Sequence, residues 1–270
     1  MTSDPTGDNL AGYDAAGAAA ALHARRQRRE RVTALPPGIA PKTEAEGAAA
    51  QRALARHTGA EPPGGFKIGA TSARMQAYLG LSVPIAGFMA SGGIHASGAT
   101  LRFGDFVHPG VECELAVRLA RDLPAGPCTR EQAAEAVGEL FTAIEIVENR
   151  YGDLVELGTP MLVADQMFHA AAVVGEPGAG DWRALDVAAL PGRITVDGEV
   201  RGEGVGADLL GHPLNSLAWL AGSSVAAAFD GLRAGQVVLL GSVTPPIWLT
   251  GPASVTVEFP PLPPVQVRLT

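Results

Sequence analysis

The chain has 270 residues, 47% hydrophobic and 18% charged, with a formal net charge of −8. That composition supports a buried core and excludes a chain disordered throughout. The acidic balance excludes broad contact with nucleic-acid phosphate, which needs a surplus of Lys and Arg, and no apolar run reaches the roughly 18 residues of a membrane span.

Aromatic residues make up 5% of the chain, against 34 Gly and 21 Pro. This predicts a core of small side chains and many tight turns, not a long helical bundle. The N-terminal MTSDPTGDNLAGYDAAG is polar and lacks the apolar stretch of a secretory leader. Cys113 and Cys128 have no C-x-x-C spacing, so a reducing cytoplasm is the expected location.

From Asp14 to about Ala34 an Ala-rich run with clustered charges predicts a helix, which LPPGIAP stops. Its basic stretch His23 to Arg31 reads as a solvated helix face and receives no function. Thr43 caps a second predicted helix that ends at EPPGG. Residues 1–60 thus form a helical N-terminal segment and residues 61–270 a second unit.

In that unit FKIGA, GVECELAVRLA, TAIEIVE, ITVDGEV, VVLLGS and PASVTVEF read as strands between Gly/Pro turns. Helices are expected over 73–80, 130–139 and 213–229, the last opened by Pro213. Asp197-Gly198 marks a hairpin turn. The irregular order predicts a mixed α/β, β-rich fold, not a strictly alternating parallel sheet.

In VECELAV, strand alternation sends Glu112 and Glu114 to one face and Cys113 to the other. Glu145 lies in the apolar run TAIEIVEN. Three carboxylates from two strands suit a hard cation; the alternative is a solvated edge strand with Glu145 in an ordinary ion pair. Lys67, followed by Thr71 and Ser72, offers a cation and hydroxyls for a substrate carboxylate or enolate, or is a surface lysine. At Gly211-His212-Pro213 free N–H groups could receive an anion, with helix capping as the plainer role of His212.

The segments GFKIGATSARMQAYLGL, HPGVECELAV with RDLP, TAIEIVENRYGD, VADQ, GEGVGADLLGHPLNSLAWLA and LRAGQVVLLGSVTPP together resemble the fumarylacetoacetate hydrolase superfamily. Within it they resemble the 2-oxopent-4-enoate (2-hydroxypentadienoate) hydratase and 4-oxalocrotonate decarboxylase family, from about residue 34 onward. The resemblance implies the C-terminal-domain mixed β-sheet roll of that superfamily, with 61–270 as a metal-binding catalytic domain. It implies Mg²⁺ or Mn²⁺, with Ca²⁺ able to replace them in a crystal, on Glu112, Glu114 and Glu145, and a substrate-facing, catalytic Lys67.

The implied reaction is hydration of a 2-hydroxydienoic or 2-oxo-enoic acid through a dienolate, in aromatic catabolism. The alternatives are decarboxylation or C–C hydrolysis of a related 2-oxo acid, or a catalytically silent subunit. A homo-oligomer is implied, and association with a decarboxylase paralogue is open.

Two segments depart from the family pattern. Ile85 stands where hydratases carry an acid, in VPIAG. Ala164-Asp165-Gln166-Met167-Phe168 replaces an A-D-N-A-S stretch, so a hydroxyl has given way to bulk. Either the substrate differs from a short dienoate or another group takes over; Asp165, His169 and Thr244 are the substrate-binding candidates, beside Thr71 and Ser72.

Overall fold

A computed structural model describes residue 10, residues 12–152 and residues 154–270. Most of the polar N-terminal stretch MTSDPTGDNLAGYDAAG lies outside the described residues.

Helix α1 (Ala15–Gln27) starts where Asp14 accepts a hydrogen bond from the Gly17 N–H at 2.8 Å. It stops well short of Ala34, because Arg29 turns left-handed at φ 54°. Helix α2 (Glu44–His57) opens with a reciprocal capping box between Thr43 and Glu46. Small buried residues, Ala18 and Ala19 on α1 and Ala48 and Ala55 on α2, let the two helices pack closely. Gln51 pins α2 to the rest of the chain. Its amide donates to the carbonyls of Ala86 (3.1 Å) and Val163 (2.6 Å), and its carbonyl accepts from the Phe88 N–H at 2.8 Å.

The chain continues through β1 (Gly65–Gly69), α3 (Ala73–Leu79), β2 (Ile85–Met89), β3 (Ile94–Ala96), β4 (Ala99–Leu101) and β5 (Pro109–Leu119). Then come α4 (Arg130–Ala136), β6 (Val137–Glu148), α5 (Leu154–Ala164), β7 (His169–Val174), β8 (Pro191–Val196) and β9 (Glu199–Val205). The chain ends with α6 (Pro213–Ala221), α7 (Ser224–Ala228), β10 (Val237–Ser242), β11 (Ile247–Trp248), β12 (Ala253–Glu258) and β13 (Val265–Leu269).

Two mixed sheets result. The larger runs β2-β1-β10-β5-β6-β7-β3, with β11 pairing an end of β5; the smaller runs β4-β13-β12-β8-β9. The smaller sheet lies against β5, β6 and β7, and its strands alternate in the way a half-buried layer demands: Val255 and Val257 point inward, Ser254 outward. Strands β5 and β6 are buried on both faces over most of their length, which explains their near-continuous apolar runs. The mixed, β-rich architecture is the one the sequence predicts.

The local differences have local causes. The expected 213–229 helix is two helices, because Gly222 ends α6 and the Ser223 hydroxyl caps α7 by accepting from the Ala226 N–H. Helix α4 ends at Ala136, before the expected 139, where the β-prone run VGELFTAIEIVE begins to pair with β5. The hairpin turn forms as read, with Asp197 and Gly198 at φ 49° and 85° between β8 and β9. The basic run is not uniformly solvated: Arg26 turns inward, drawn by a buried acid described below.

Candidate active site

Strand β5 is interior, between β10 and β6, so Glu112 and Glu114 are not on an edge. Glu112 stands opposite Glu145 in the β5–β6 register, and Glu114 opposite Ala143. Glu114 and Glu145 are fully buried and Glu112 half-buried. One carboxylate oxygen from each lies within 4.8 Å of the others.

Such proximity of like charges is unstable without compensation. Burial first, then the Glu145 carboxylate, pushes Glu112 up to about 8. The same causes, with Glu112 added, push Glu114 well above the ordinary carboxylate value. Glu145 shifts the other way: burial opposes ionisation, but Lys67 and His169 together hold it below the usual range.

The Lys67 ammonium is 3.4 Å from Glu145 Oε1, on a side chain that is almost wholly buried, so Lys67 is not a surface lysine. His169 Nδ1 lies 2.8 Å from the same oxygen. An ionised Glu145 can only accept, which makes Nδ1–H the donor. The Gly241 N–H donates to Glu114 Oε2 at 2.9 Å.

That last contact depends on a bulge. The β10–β5 register shifts between Leu239 and Ser242, and Gly241 sits at φ 112° with its α-carbon facing Thr71, where an added Cβ would lie 2.3 Å from Thr71 Oγ1. The irregularity aims a backbone donor at the buried acid. Among the described residues, Glu114 Oε1 and Glu145 Oε2 have no hydrogen-bond partner. Buried carboxyl oxygens left unpaired are costly, and three hard oxygen donors with free lone pairs could hold a divalent cation.

Beside the acids lies a cleft with a cavity volume of about 80 Å³. Lys67, Thr71, Glu112 and Thr244 line it, and the buried Thr244 hydroxyl has no hydrogen-bond partner among the described residues. The other candidates sit elsewhere. Ser72 caps α3, accepting from the Met75 N–H at 3.2 Å. His169 reaches the site through Glu145. His212 caps α6 through Nδ1, which accepts from the Leu214 N–H at 3.1 Å. Ile85 is buried at the start of β2, opposite Gly69, and brings no carboxylate.

Asp165 is buried between two guanidinium groups, Arg26 at 2.6 Å and Arg150 at 3.0 Å. Burial would raise its pKa, yet Arg150 and Arg26 hold it below the ordinary value. Arg150 also binds Glu148 at 2.8 Å. Directly after Asp165 come three consecutive left-handed residues, Gln166 (φ 59°), Met167 (φ 43°) and Phe168 (φ 63°). Gln166 is tied at both ends of its amide, donating to the Phe88 carbonyl at 2.6 Å and accepting from Arg26. This run places Met167 and Phe168 in the cleft wall.

The structure adds Asn149 and Trp248, which line the cleft, and Arg26 and Arg150, which hold Asp165. Asn149 ends TAIEIVEN and Gly241 lies within LRAGQVVLLGSVTPP, two of the segments that carry the family resemblance. Arg150 lies in TAIEIVENRYGD and Arg26 in the basic helix run, but nothing local shows that both meet Asp165.

Comparison with known proteins places these residues in context. The family model for the fumarylacetoacetate (FAA) hydrolase C-terminal domain matches residues 74–270. A 2-keto-4-pentenoate hydratase of Burkholderia vietnamiensis is 36% identical over 190 residues, 70% of this chain and 71% of the relative. A 4-oxalocrotonate decarboxylase of Pseudomonas putida is 28% identical over 204 residues, 76% of each. The solved 4-oxalocrotonate decarboxylase of Pseudomonas putida G7, complexed with magnesium and adipate, superposes with a TM-score of 0.85 at 24% identity, covering 95% of this chain and 97% of that one. Among the described residues, no helix is long and apolar enough to cross a membrane.

Proposed function

Because the chain belongs to the fumarylacetoacetate hydrolase family, we propose that it is a divalent-metal-dependent hydro-lyase that adds water to a 2-hydroxydienoic or 2-oxo-enoic acid. The observation that carries this reading is the convergence of Glu112, Glu114 and Glu145 with buried Lys67 beside one cleft. These glutamates would hold Mg²⁺ or Mn²⁺, and the orphaned oxygens of Glu114 and Glu145 fit that role. When bound, the cation supplies Lewis acidity toward the carboxylate and the 2-oxygen of the substrate.

The chain's own groups do the rest. The Lys67 ammonium stabilises negative charge developing on the 2-oxygen as the dienol tautomerises toward an unsaturated ketone. The distal carbon then becomes electrophilic, and water adds there to give a 4-hydroxy-2-oxo acid. Thr71 and Thr244 present hydroxyls to the substrate carboxylate, Thr244 with an uncommitted oxygen. His169 fixes the orientation of Glu145, Ser72 sets the start of α3, and Asp165 anchors the turn that carries the cleft wall.

A second reading, decarboxylation of a related 2-oxo acid on the same residues, is favoured by one feature: the apolar Ile85 where a proton-transferring acid is expected. We also propose that residues 1–60 form a helical segment and residues 61–270 the catalytic body. It includes a cytoplasmic location, in keeping with free Cys113 and Cys128. Assembly as a homo-oligomer, with or without a decarboxylase paralogue, is supported by the exposed Val200 and Val205 on edge strand β9.

The test is turnover of 2-hydroxypenta-2,4-dienoate, followed by loss of its ultraviolet absorbance, in wild type and Glu114→Ala with and without Mg²⁺ or Mn²⁺. Metal-dependent hydration that the variant abolishes supports the proposal. Loss of carbon dioxide from 4-oxalocrotonate without hydration of the dienoate favours the second reading.

A further inference from the structure

We infer that the substrate carries an apolar tail beyond its conjugated acid, and that Met167, Phe168 and Trp248 select for it. The inference rests on the hydration reading and names its substrate class. With the glutamates committed to the cation, Lys67 to the 2-oxygen, and Thr71 and Thr244 to the carboxylate, the remaining lining must receive the rest of the molecule. That lining is dominated by Met75, Leu79, Leu154, Met167, Phe168 and Trp248. Among the described residues lining the cleft, Lys67 is the one cation, and Glu145 engages it at 3.4 Å. A second carboxylate on the substrate would therefore be desolvated with no counter-charge, whereas a hydrocarbon tail gains from burial.

The wall is also built and held. Met167 and Phe168 occupy left-handed conformations that side chains rarely adopt, locked by the Gln166 amide and by the absence of a side chain at Gly87, where a Cβ would lie 2.8 Å from the Gln166 carbonyl oxygen. The Phe168 ring meets Tyr151 edge-on at 4.5 Å, and Trp248 stacks on His108 at 5.0 Å. Two aromatic faces are thereby fixed before any ligand arrives, a preorganised surface for a flexible tail.

The experiment compares kcat/KM, with Mg²⁺ or Mn²⁺, for three acids: 2-hydroxypenta-2,4-dienoate with no tail, 2-hydroxynona-2,4-dienoate with a butyl tail, and 2-hydroxyhepta-2,4-diene-1,7-dioate with a carboxylate tail. The butyl acid is expected to exceed the tailless acid by about tenfold and the diacid by roughly a hundredfold or more. Phe168→Ala should shrink the butyl-to-tailless ratio by about tenfold, a change in ratio that a general loss of folded enzyme does not produce. Leu154→Arg should raise the diacid relative to the butyl acid. A wild-type enzyme that prefers the diacid, or treats butyl and tailless acids alike, overturns the inference while leaving hydration standing, even if Phe168→Ala does not fold. Metal-dependent turnover of none of the three would overturn the hydration reading, and this inference with it.

Discussion

Arg26 and Asp165 are 139 residues apart in the chain and 2.6 Å apart in space, and through them the N-terminal helix α1 holds the turn that walls the cleft. Arg26 contacts the Asp165 carboxylate and backbone carbonyl and the Gln166 side chain together. Arg26→Ala is therefore expected to loosen residues 166–168 and to destabilise the fold. Arg150 still pairs Asp165 and Arg26 is partly exposed, so the loss should be about 2 kcal/mol, below the ~3–5 kcal/mol of a broken, fully buried pair. Urea unfolding measures it, and KM should rise more than kcat falls.

The acid limb of stability should report Asp165. Its folded pKa lies below its unfolded value, despite burial, because Arg150 and Arg26 favour the anion. A depressed carboxyl contributes stability that is fully present above the unfolded pKa of ~3.9 and is lost as pH falls through the lower folded value. Wild type should thus lose urea resistance steeply below about pH 4. Asp165→Asn should start less stable at neutral pH and decline less across that window, the two curves converging in acid.

Cation binding should raise thermal stability. At a hundredfold excess over Kd the linkage is worth about 2.7 kcal/mol, visible as a higher Tm with Mg²⁺ or Mn²⁺. Glu145→Ala should abolish that rise. His169→Ala keeps all three acids but frees Glu145 Oε1 from its 2.8 Å contact, so its cation affinity should fall by about 10–100-fold in a calorimetric titration. Equal affinity in His169→Ala and wild type would remove the orienting role from His169.

Gly241→Ala should be disruptive out of proportion to one methyl group. The residue sits at φ 112°, and the new Cβ would press 2.3 Å from Thr71 Oγ1. A loss of about 1–3 kcal/mol is expected from the backbone alone. Displacing the N–H from Glu114 Oε2 should also weaken cation binding. Gly251→Ala, where a Cβ meets nothing within 4 Å, is the control expected to change neither.

Local rules were enough for much of this protein. The Thr43 cap, the Asp197-Gly198 turn and the common face of Glu112 and Glu114 each follow from residues one to three apart, because caps, turns and strand alternation act over that range. The motif segments from Lys67 to Thr244 identified the family for the same reason: they are contiguous. Tertiary structure decided the rest. Whether Glu112 and Glu114 sat on a wet edge or inside a sheet depended on β10 and β6 flanking β5, strands that lie far apart in the chain. The depth of the carboxylates, and with it their shifted protonation, followed from that placement. Strands β2 and β7 and helix α5 went unread because their apolar runs carry no period that separates strand from buried helix. Arg26 looked like any residue of a basic helix face until folding put Asp165 beside it, since charge pairing is settled by distance in space and not along the chain.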